Sequence, residues 1–348
     1  MAQATCANMM YNRGRVEKRM RKRTAILATT LLAASTVLAA LASPTQVQPY
    51  PTRPITIVVP FAAGGGNDIL ARLLGQHMGR ALGQQFVIEN RGGAAGTIGA
   101  RAIAKATPDG HTLMVGHSGL FAMAPGLYGS NAGYDPRKDF APIGLIASYQ
   151  QILVVHPSLP VRSIADLIAL AKKEPGKITY ATAGVGSGSH ISTELLTSMA
   201  GIKLTHVPYR GSGAVQGDLV GGHVAMAIQT VPPVIAQIRS GQVRAIAVTG
   251  AARSPIFPDL PTVAESGVPG YEAVIHYGMV APAGTPRPIV ERLNAELRAA
   301  LNTDGVRARI ADEGGESLAG TPEQQAADID QEETKWGALV RKLGLRAE

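Results

Sequence analysis

A chain of 348 residues is too long for one small hydrophobic core and predicts two domains. Hydrophobic residues make up 45% of it and charged residues 17%, which excludes a disordered chain and a coiled coil. The net charge of +8 would suggest a nucleic-acid partner, but seven of the 33 basic residues and only one acid lie within residues 1–42. The remainder carries a net charge of only +2, so no nucleic acid is expected.

Residues 1–42 have the three parts of a secretory signal peptide. A basic stretch ends at Arg23, a 17-residue apolar run follows, and Ala40-Leu41-Ala42 provides a small-x-small cleavage pattern. The apolar run is short for a membrane-spanning helix, which needs about 20 residues; a retained membrane anchor is the alternative. We therefore expect export to the periplasm with cleavage near Ala42, and either Met1 or Met20 as the start.

The only cysteine, Cys6, lies within this leader. A mature chain without cysteine excludes a disulfide framework, a thiolate metal site, a cysteine nucleophile and a lipid anchor at the cleavage point. The eight histidines show no H-E-x-x-H or H-x-H spacing, so no zinc site is predicted. We expect a protein without metal or other cofactor.

From Ile55 onwards, short β-rich runs alternate with helical stretches, which is typical of an α/β protein with parallel-rich sheets. In chain order, strands are predicted at 55–59, 86–90, 112–115, 153–155, 178–183, 205–209, 225–229 and 244–249. Ile69 lies in a predicted helix after the first strand, and Ser163 begins a capping-box-like pattern at a later one. Pro286 and Pro288 start a mostly helical region that extends to Leu343.

No linker of low complexity separates the two expected domains, so strands are expected to cross the boundary. The extended apolar segments 147–156 and 272–281 are the candidate crossings. This predicts a discontinuous first lobe, residues 50–148 plus 277–348, and a second lobe of residues 149–276.

Three glycine-rich turns, at 60–68, 116–119 and 183–190, stand between a predicted strand and a helix. Such turns gather at the carboxyl ends of parallel strands, where ligands bind. Glycine permits close approach of the backbone, and a helix start offers free N–H groups with partial positive charge. Together the turns favour a site for a carboxylate or another small anion, although any one of them could be a simple tight turn.

Other functions need patterns that these turns lack. No lysine follows a glycine cluster as a phosphate loop requires, and Gly184-x-Gly186-x-x-Ser189 lacks the third glycine of a dinucleotide fingerprint. The surroundings of Ser118 and Ser187 do not complete G-x-S-x-G. We therefore expect a binding protein and no enzyme, with an exported serine hydrolase or a sensory binding module as the alternatives.

Several ordered motifs resemble the start, middle and end of Bug family proteins, the periplasmic solute-binding components of tripartite tricarboxylate transporters. They include Tyr50-Pro51-Thr52-Arg53-Pro54, Glu89-Asn90-Arg91, Val207-Pro208-Tyr209-Arg210-Gly211 and Ala281-Pro282-Ala283-Gly284-Thr285-Pro286. The resemblance covers essentially all of the chain after the leader. It implies two α/β lobes that close like a Venus flytrap, a monomer, a small carboxylate ligand and a membrane permease as partner.

The resemblance further implies that a ligand carboxylate is held by loop 60–68 and by the helix start near 184–190. The chain departs from many relatives at His276, where they have tryptophan, and at Gln229-Thr230, near which they have aspartate. These departures argue against a cationic ligand. The residues that we expect to bind ligand are Phe61, Ala62, Gly65, Asn67, Asp68, Ser118, Gly184, Gly186, Ser187, Ser189, His190, Tyr209, Gln229 and His276.

Overall fold

The structure is a computed structural model that describes residues 50–346. The predicted signal peptide, Cys6 and both candidate start residues lie outside the described residues. Within residues 50–346, no helix has both the length and the apolar character that a bilayer crossing requires.

Ten strands form the framework of the fold in residues 50–346. They are β1 (Ile55–Val59), β2 (Phe86–Asn90), β3 (Thr112–His117), β4 (Phe140–Val155), β5 (Thr179–Thr182), β6 (Thr205–Pro208), β7 (Met226–Thr230), β8 (Arg244–Val248), β9 (Val274–Pro282) and β10 (Gly315–Ser317).

The α-helices of the same region cover the strands and carry the turns that matter for the site. They are α1 (Gly66–Leu82), α2 (Thr97–Ala104), α3 (Ala124–Tyr128), α4 (Pro136–Asp139), α5 (Ile164–Lys173), α6 (Gly188–Ala200), α7 (Ser212–Val220), α8 (Ile235–Arg239), α9 (Arg287–Leu301), α10 (Asp304–Asp312) and α11 (Pro322–Leu343). Ser163 caps α5 as predicted, because its side chain accepts a hydrogen bond of 3.1 Å from the Asp166 amide.

The long strand β4 connects two groups of strands. Its first part pairs with β9 and β10, and β9 leads through β3 to β1 and β2. Its last part pairs with β7 and β8, and β7 leads to β5 and β6. The predicted crossing segments lie largely within β4 and β9; the division into lobes at 148/149 and 276/277 stays a prediction.

Each group has a parallel centre. Strand β1 pairs in parallel with β2 and β3, and β5 pairs in parallel with β6 and β7. Every antiparallel pair of the sheet involves β4 or β9. The α/β class is thus confirmed, and the carboxyl ends of β1, β5 and β6 each lead into a helix start.

The C-terminal helix α11 packs against β4 and the helical turn 119–123. Ile329 belongs to a buried cluster with Val58 of β1, whereas Trp336 belongs to a cluster with Leu153 and Ile191 of the second group. This one helix therefore contributes to the cores on both sides of β4.

Candidate functional site

A cavity of about 60 Å³ lies where three helix starts meet the crossing strands. The helix starts are those of α1, α6 and α7, which follow the carboxyl ends of β1, β5 and β6. The cavity is lined by Phe61, Ala62, Gly65, Gly66, Asn67, His117, Gln151, Ala183, Ser187, Gly188, Ser189, Gly211, Ser212, Gly213, Gln229, Thr230, Ile275 and Tyr277.

The start of α1 presents unpaired main-chain donors. Its first residue is preceded by Gly65, which has no side chain to cap the helix. Among the described residues, the N–H groups of Gly66 and Asn67 have no protein acceptor. A Cβ at Gly66 would lie 2.6 Å from the Tyr277 hydroxyl oxygen, so only glycine allows this close approach. The Asn67 side chain anchors the turn by donating to the Val115 carbonyl at 3.0 Å.

The start of α6 is rigidified by its own serines. Ser187 Oγ donates to the Gly184 carbonyl at 2.7 Å, and Ser189 Oγ accepts from the Ala183 amide at 3.0 Å. Within the described part of the chain, the N–H groups of Gly188 and Ser189 have no protein acceptor. The two hydroxyls therefore stabilise the loop, and the main-chain amides of Gly188 and Ser189 remain free to bind a ligand.

The start of α7 repeats this arrangement. The residue before the helix is Gly211, which again offers no side-chain cap. In residues 50–346, the N–H groups of Ser212 and Gly213 find no protein acceptor. This turn follows a predicted strand and contains two glycines, but it was not among the three glycine-rich turns predicted to bind the ligand; only Tyr209, just before it, was.

The crossing strands complete the cavity through their register. Pairing of β3 with β9 sets His117 opposite Tyr277, and pairing of β4 with β7 sets Gln151 opposite Thr230. The Phe61 ring stacks on the His117 ring, with centroids 4.7 Å apart and planes at 15°. These aromatic and amide side chains close the sides of the cavity that the helix starts leave open.

The cavity favours an anion by its charge as well as by its donors. Each helix start carries a partial positive charge of roughly half a unit, and no described lining residue is an acid, a lysine or an arginine. The pKa of His117 is lowered to about 4 because the ring is buried, so the ring is neutral near pH 7. Its Nδ1 accepts from the Gly119 amide at 3.0 Å, which places the proton on Nε2.

The structure brings half of the expected ligand-binding residues to this cavity: Phe61, Ala62, Gly65, Asn67, Ser187, Ser189 and Gln229. Two more, Gly184 and Tyr209, line a larger outer cavity of about 740 Å³. The inner and outer cavities share four lining residues, Phe61, Ala62, Ala183 and Gly211. The Tyr209 hydroxyl donates to Asp218 at 2.6 Å.

Asp68 does not line either cavity. Its carboxylate lies 3.0 Å from Arg72 and accepts hydrogen bonds from Asn90 and from the Gly64 amide, each at 3.0 Å. Burial opposes its ionisation, but these bonds together hold the pKa of Asp68 below its ordinary value. Asp68 thus fixes the loop before α1 from behind the site.

Gly186 and His190 also lie outside the inner cavity and support its wall. The Gly186 amide donates to His190 Nδ1 at 3.1 Å, and the His190 ring stacks on His206 at 4.3 Å between centroids. Burial, with a smaller contribution from His206, lowers the pKa of His190 to about 3. These residues hold loop 183–189 in place.

Ser118 and His276 contact each other and do not line the cavity. Ser118 Oγ accepts a bond of 3.4 Å from the main-chain amide of His276, whose Nδ1 lies 2.6 Å from Asp328. A serine nucleophile needs a hydrogen bond to the histidine ring. Among the described residues, neither Ser118 nor Ser187 makes one, so the geometry of these serines gives the hydrolase alternative no support.

Comparison with known proteins identifies the family of the chain. A model of the tripartite tricarboxylate transporter family receptor, TctC, matches residues 70–345. The chain belongs to this family.

Three solved structures are similar to this TctC family member. Rpa4515 of R. palustris with adipate has 39% identity and a TM-score of 0.82, covering 85% of this chain and 99% of the other. The periplasmic binding protein BugD has 40% identity and a TM-score of 0.81, covering 86% and 100%. MatC of Rhodopseudomonas palustris with bound malate has 36% identity and a TM-score of 0.80, covering 84% and 100%. The resemblance to Bug proteins and the periplasmic-binding-protein fold are thereby confirmed.

Proposed function

We propose that this TctC family member captures a small organic acid in the cavity at the starts of α1, α6 and α7. The convergence of free main-chain amides on a cavity without charged side chains carries the proposal. A carboxylate has two oxygens that accept such bonds, and a helix start favours negative charge. Relatives solved with adipate and malate, both carboxylates, support the same class of ligand.

The energetics need no catalytic group. A hydrogen bond to a charged group contributes about 1.5–3 kcal/mol. Micromolar affinity requires about −8 kcal/mol. A few amide–carboxylate bonds therefore suffice after the cost of ordering, and the acid is released chemically unchanged.

Binding couples to closure of the molecule. The first lobe, residues 50–148 and 277–348, supplies the start of α1, and the second, residues 149–276, supplies the starts of α6 and α7. A ligand that bonds to both stabilises the form in which they are close. The permease of a tripartite transporter would then recognise that closed form.

The proposal places the mature protein in the periplasm as a monomer without cofactor. The signal peptide, residues 1–42, directs export and is cleaved near Ala42, and the family to which the chain belongs serves as transporter receptors. Loop 60–68 and the helix start near 184–190 hold the carboxylate in this proposal, with Gly65, Asn67 and Ser189 at its border.

A matched pair of ligands tests the proposal. We expect succinate or adipate to bind with micromolar affinity in calorimetry, and the corresponding diamide to bind at least 100-fold more weakly. The amide keeps the shape of the acid and loses the charge that the helix starts favour. Equal binding of acid and amide, or no binding by any carboxylate in a broad panel, would contradict it. Mass spectrometry of the released ligand should show no conversion.

A further inference from the structure

His117 brings an unpaired side-chain donor to the cavity. It is the last residue of β3, lines the cavity and is only 7% exposed. Its Nδ1 is occupied, because it accepts a hydrogen bond of 3.0 Å from the Gly119 amide. The ring proton therefore lies on Nε2, and this N–H has no acceptor among the described residues.

Neighbouring groups fix the ring of His117 and leave Nε2 accessible. Phe61 stacks on the ring, and the Tyr277 ring stands edge-on to it, with centroids 5.8 Å apart and planes at 72°. A Cβ at Gly119 would lie 2.7 Å from the ring carbon Cε1, so this edge of the ring lies against the main chain. Among residues 50–346, Nε2 is not one of the unpaired polar atoms that the protein encloses completely. It is therefore open to the cavity that His117 lines.

The start of α6 lies beside this ring. The Cβ position at Gly119 that is 2.7 Å from Cε1 is also 3.3 Å from the Gly188 amide nitrogen, so ring and amide are within a few ångströms of each other. The Gly188 amide is one of the free donors of the cavity. An acid that bonds to the start of α6 is therefore next to the His117 ring.

The surroundings of His117 keep the imidazole neutral even beside an anion. Burial lowers its pKa to about 4. A nearby carboxylate raises the pKa of a histidine, but a proton on Nδ1 would face the Gly119 N–H and break that hydrogen bond. The helix starts oppose a further positive charge as well. Tyr277, the other titratable residue of the described lining, stays neutral because burial, and to a lesser extent Glu313, raises its pKa.

We propose that His117 binds the ligand through its Nε2–H as a neutral imidazole, so that the protein captures the acid without taking up a proton. This inference rests on the proposed function. A charged imidazole would attract the anion more strongly, but that attraction would be lost as the pH rises through the range in which histidine titrates. A neutral donor makes the same bond wherever the acid is ionised.

Imidazole resonances of the ¹⁵N-labelled wild type test the contact directly, since they distinguish a protonated from an unprotonated ring nitrogen. At pH 7 we expect His117 to carry its proton on Nε2 alone, both with and without succinate or adipate. Its Nε2–H proton should move downfield at saturation. The ring of His223, at an exposed position, should not respond.

Calorimetry in two buffers of different ionisation enthalpy counts the protons that binding takes up. At pH 7 we expect the count for succinate or adipate to be close to zero. A mechanism in which His117 becomes charged would bring the count close to one, and His117→Gln would then remove that uptake.

Two variants of His117 test whether the donor itself matters. His117→Leu removes the donor, and we expect at least a tenfold loss of affinity because a bond to a charged group is lost. His117→Gln places an amide N–H at a similar reach and should lose less than threefold. His223→Gln is the matched control on the surface and should bind as the wild type does. The resonances of the wild type decide the question if a variant does not fold.

Two outcomes would overturn the inference while leaving the proposed function intact. One is an Nε2–H resonance of His117 that stays in place when the acid saturates the protein. The other is uptake of nearly one proton that His117→Gln abolishes. If neither succinate, adipate nor any other carboxylate binds the wild type, the proposed function and the inference fail together.

Discussion

Replacing Gly65 by aspartate is expected to lower carboxylate affinity at least 100-fold and to leave the fold intact. Gly65 has the extended conformation that any residue adopts, and a Cβ there makes only an ordinary contact, 3.6 Å from the Ala62 carbonyl. Aspartate is a favoured residue at this helix position and bonds to the amides of the first turn. It would occupy the Asn67 donor and place a negative charge beside the ligand. Calorimetry with succinate and adipate measures the loss.

Gly65→Asn is the matched control for charge. Asparagine has the same shape and caps the helix as well, but it is neutral. We expect a loss of roughly tenfold, because a donor is occupied without added repulsion. The free energy of unfolding of both variants should lie within a few tenths of a kcal/mol of the wild-type value. If the Gly65→Asp variant kept wild-type affinity, the start of α1 would not be part of the binding site.

The free energy of unfolding should fall as the pH is lowered from about 6.5 to about 4. His117 is buried with its pKa lowered to about 4, and His206 is lowered to about 4 by burial as well. In this range the unfolded chain binds protons that the folded protein does not, so acid favours unfolding. For His117 alone the loss is about 3 kcal/mol, nearly complete at its folded pKa. His276 affects stability in the opposite direction. Burial opposes its protonation, but the hydrogen bond to Asp328 raises its pKa, so its contribution to the free energy of unfolding is lost as the pH rises above about 6.5.

Urea unfolding between pH 7.5 and pH 4 measures this dependence. His117→Asn retains an oxygen that can accept from the Gly119 amide and removes the titrating ring. It should lower stability at neutral pH and give a flatter pH profile. His223→Gln, at an exposed position, is the control and should keep the wild-type profile. A profile equally steep in both variants would contradict the role of His117.

Local sequence patterns predicted the framework of this fold well. Strands β1 and β2 occupy the predicted ranges because short apolar β-forming runs define them locally, the first ended by Pro60 and the second followed by Gly92 and Gly93. The helical turn at 119–123 was not predicted, because its residues are all buried and leave no polar period. The helix at 124–128 was not predicted because it is short and contains Pro125 and Gly126, which are turn signals in a sequence. Strand β4 begins at Phe140, before the predicted crossing at 147, since its start is set by pairing with β9.

In the candidate site too, some residues could be predicted from local sequence and others depend on strand pairing. Gly65, Asn67, Ser187 and Ser189 belong to turns with a local signature, and they do line the cavity. Gln151 and Tyr277 reach it only through the register of crossing strands, which no local pattern reveals. Asp68, Gly186 and His190 share the signature but support the loops from behind, because the signature marks a turn and not the direction in which each side chain points.

Main-chain amide resonances give the most direct test of anion capture by converging helix starts. In ¹⁵N-labelled protein titrated with succinate or adipate, we expect the amide protons of Gly66, Asn67, Gly188 and Ser189 to move downfield together, as amides do on bonding to a carboxylate. The exposed Gly217, one turn into α7, should stay in place. Saturable binding that leaves those four resonances unmoved and shifts residues elsewhere would contradict the account.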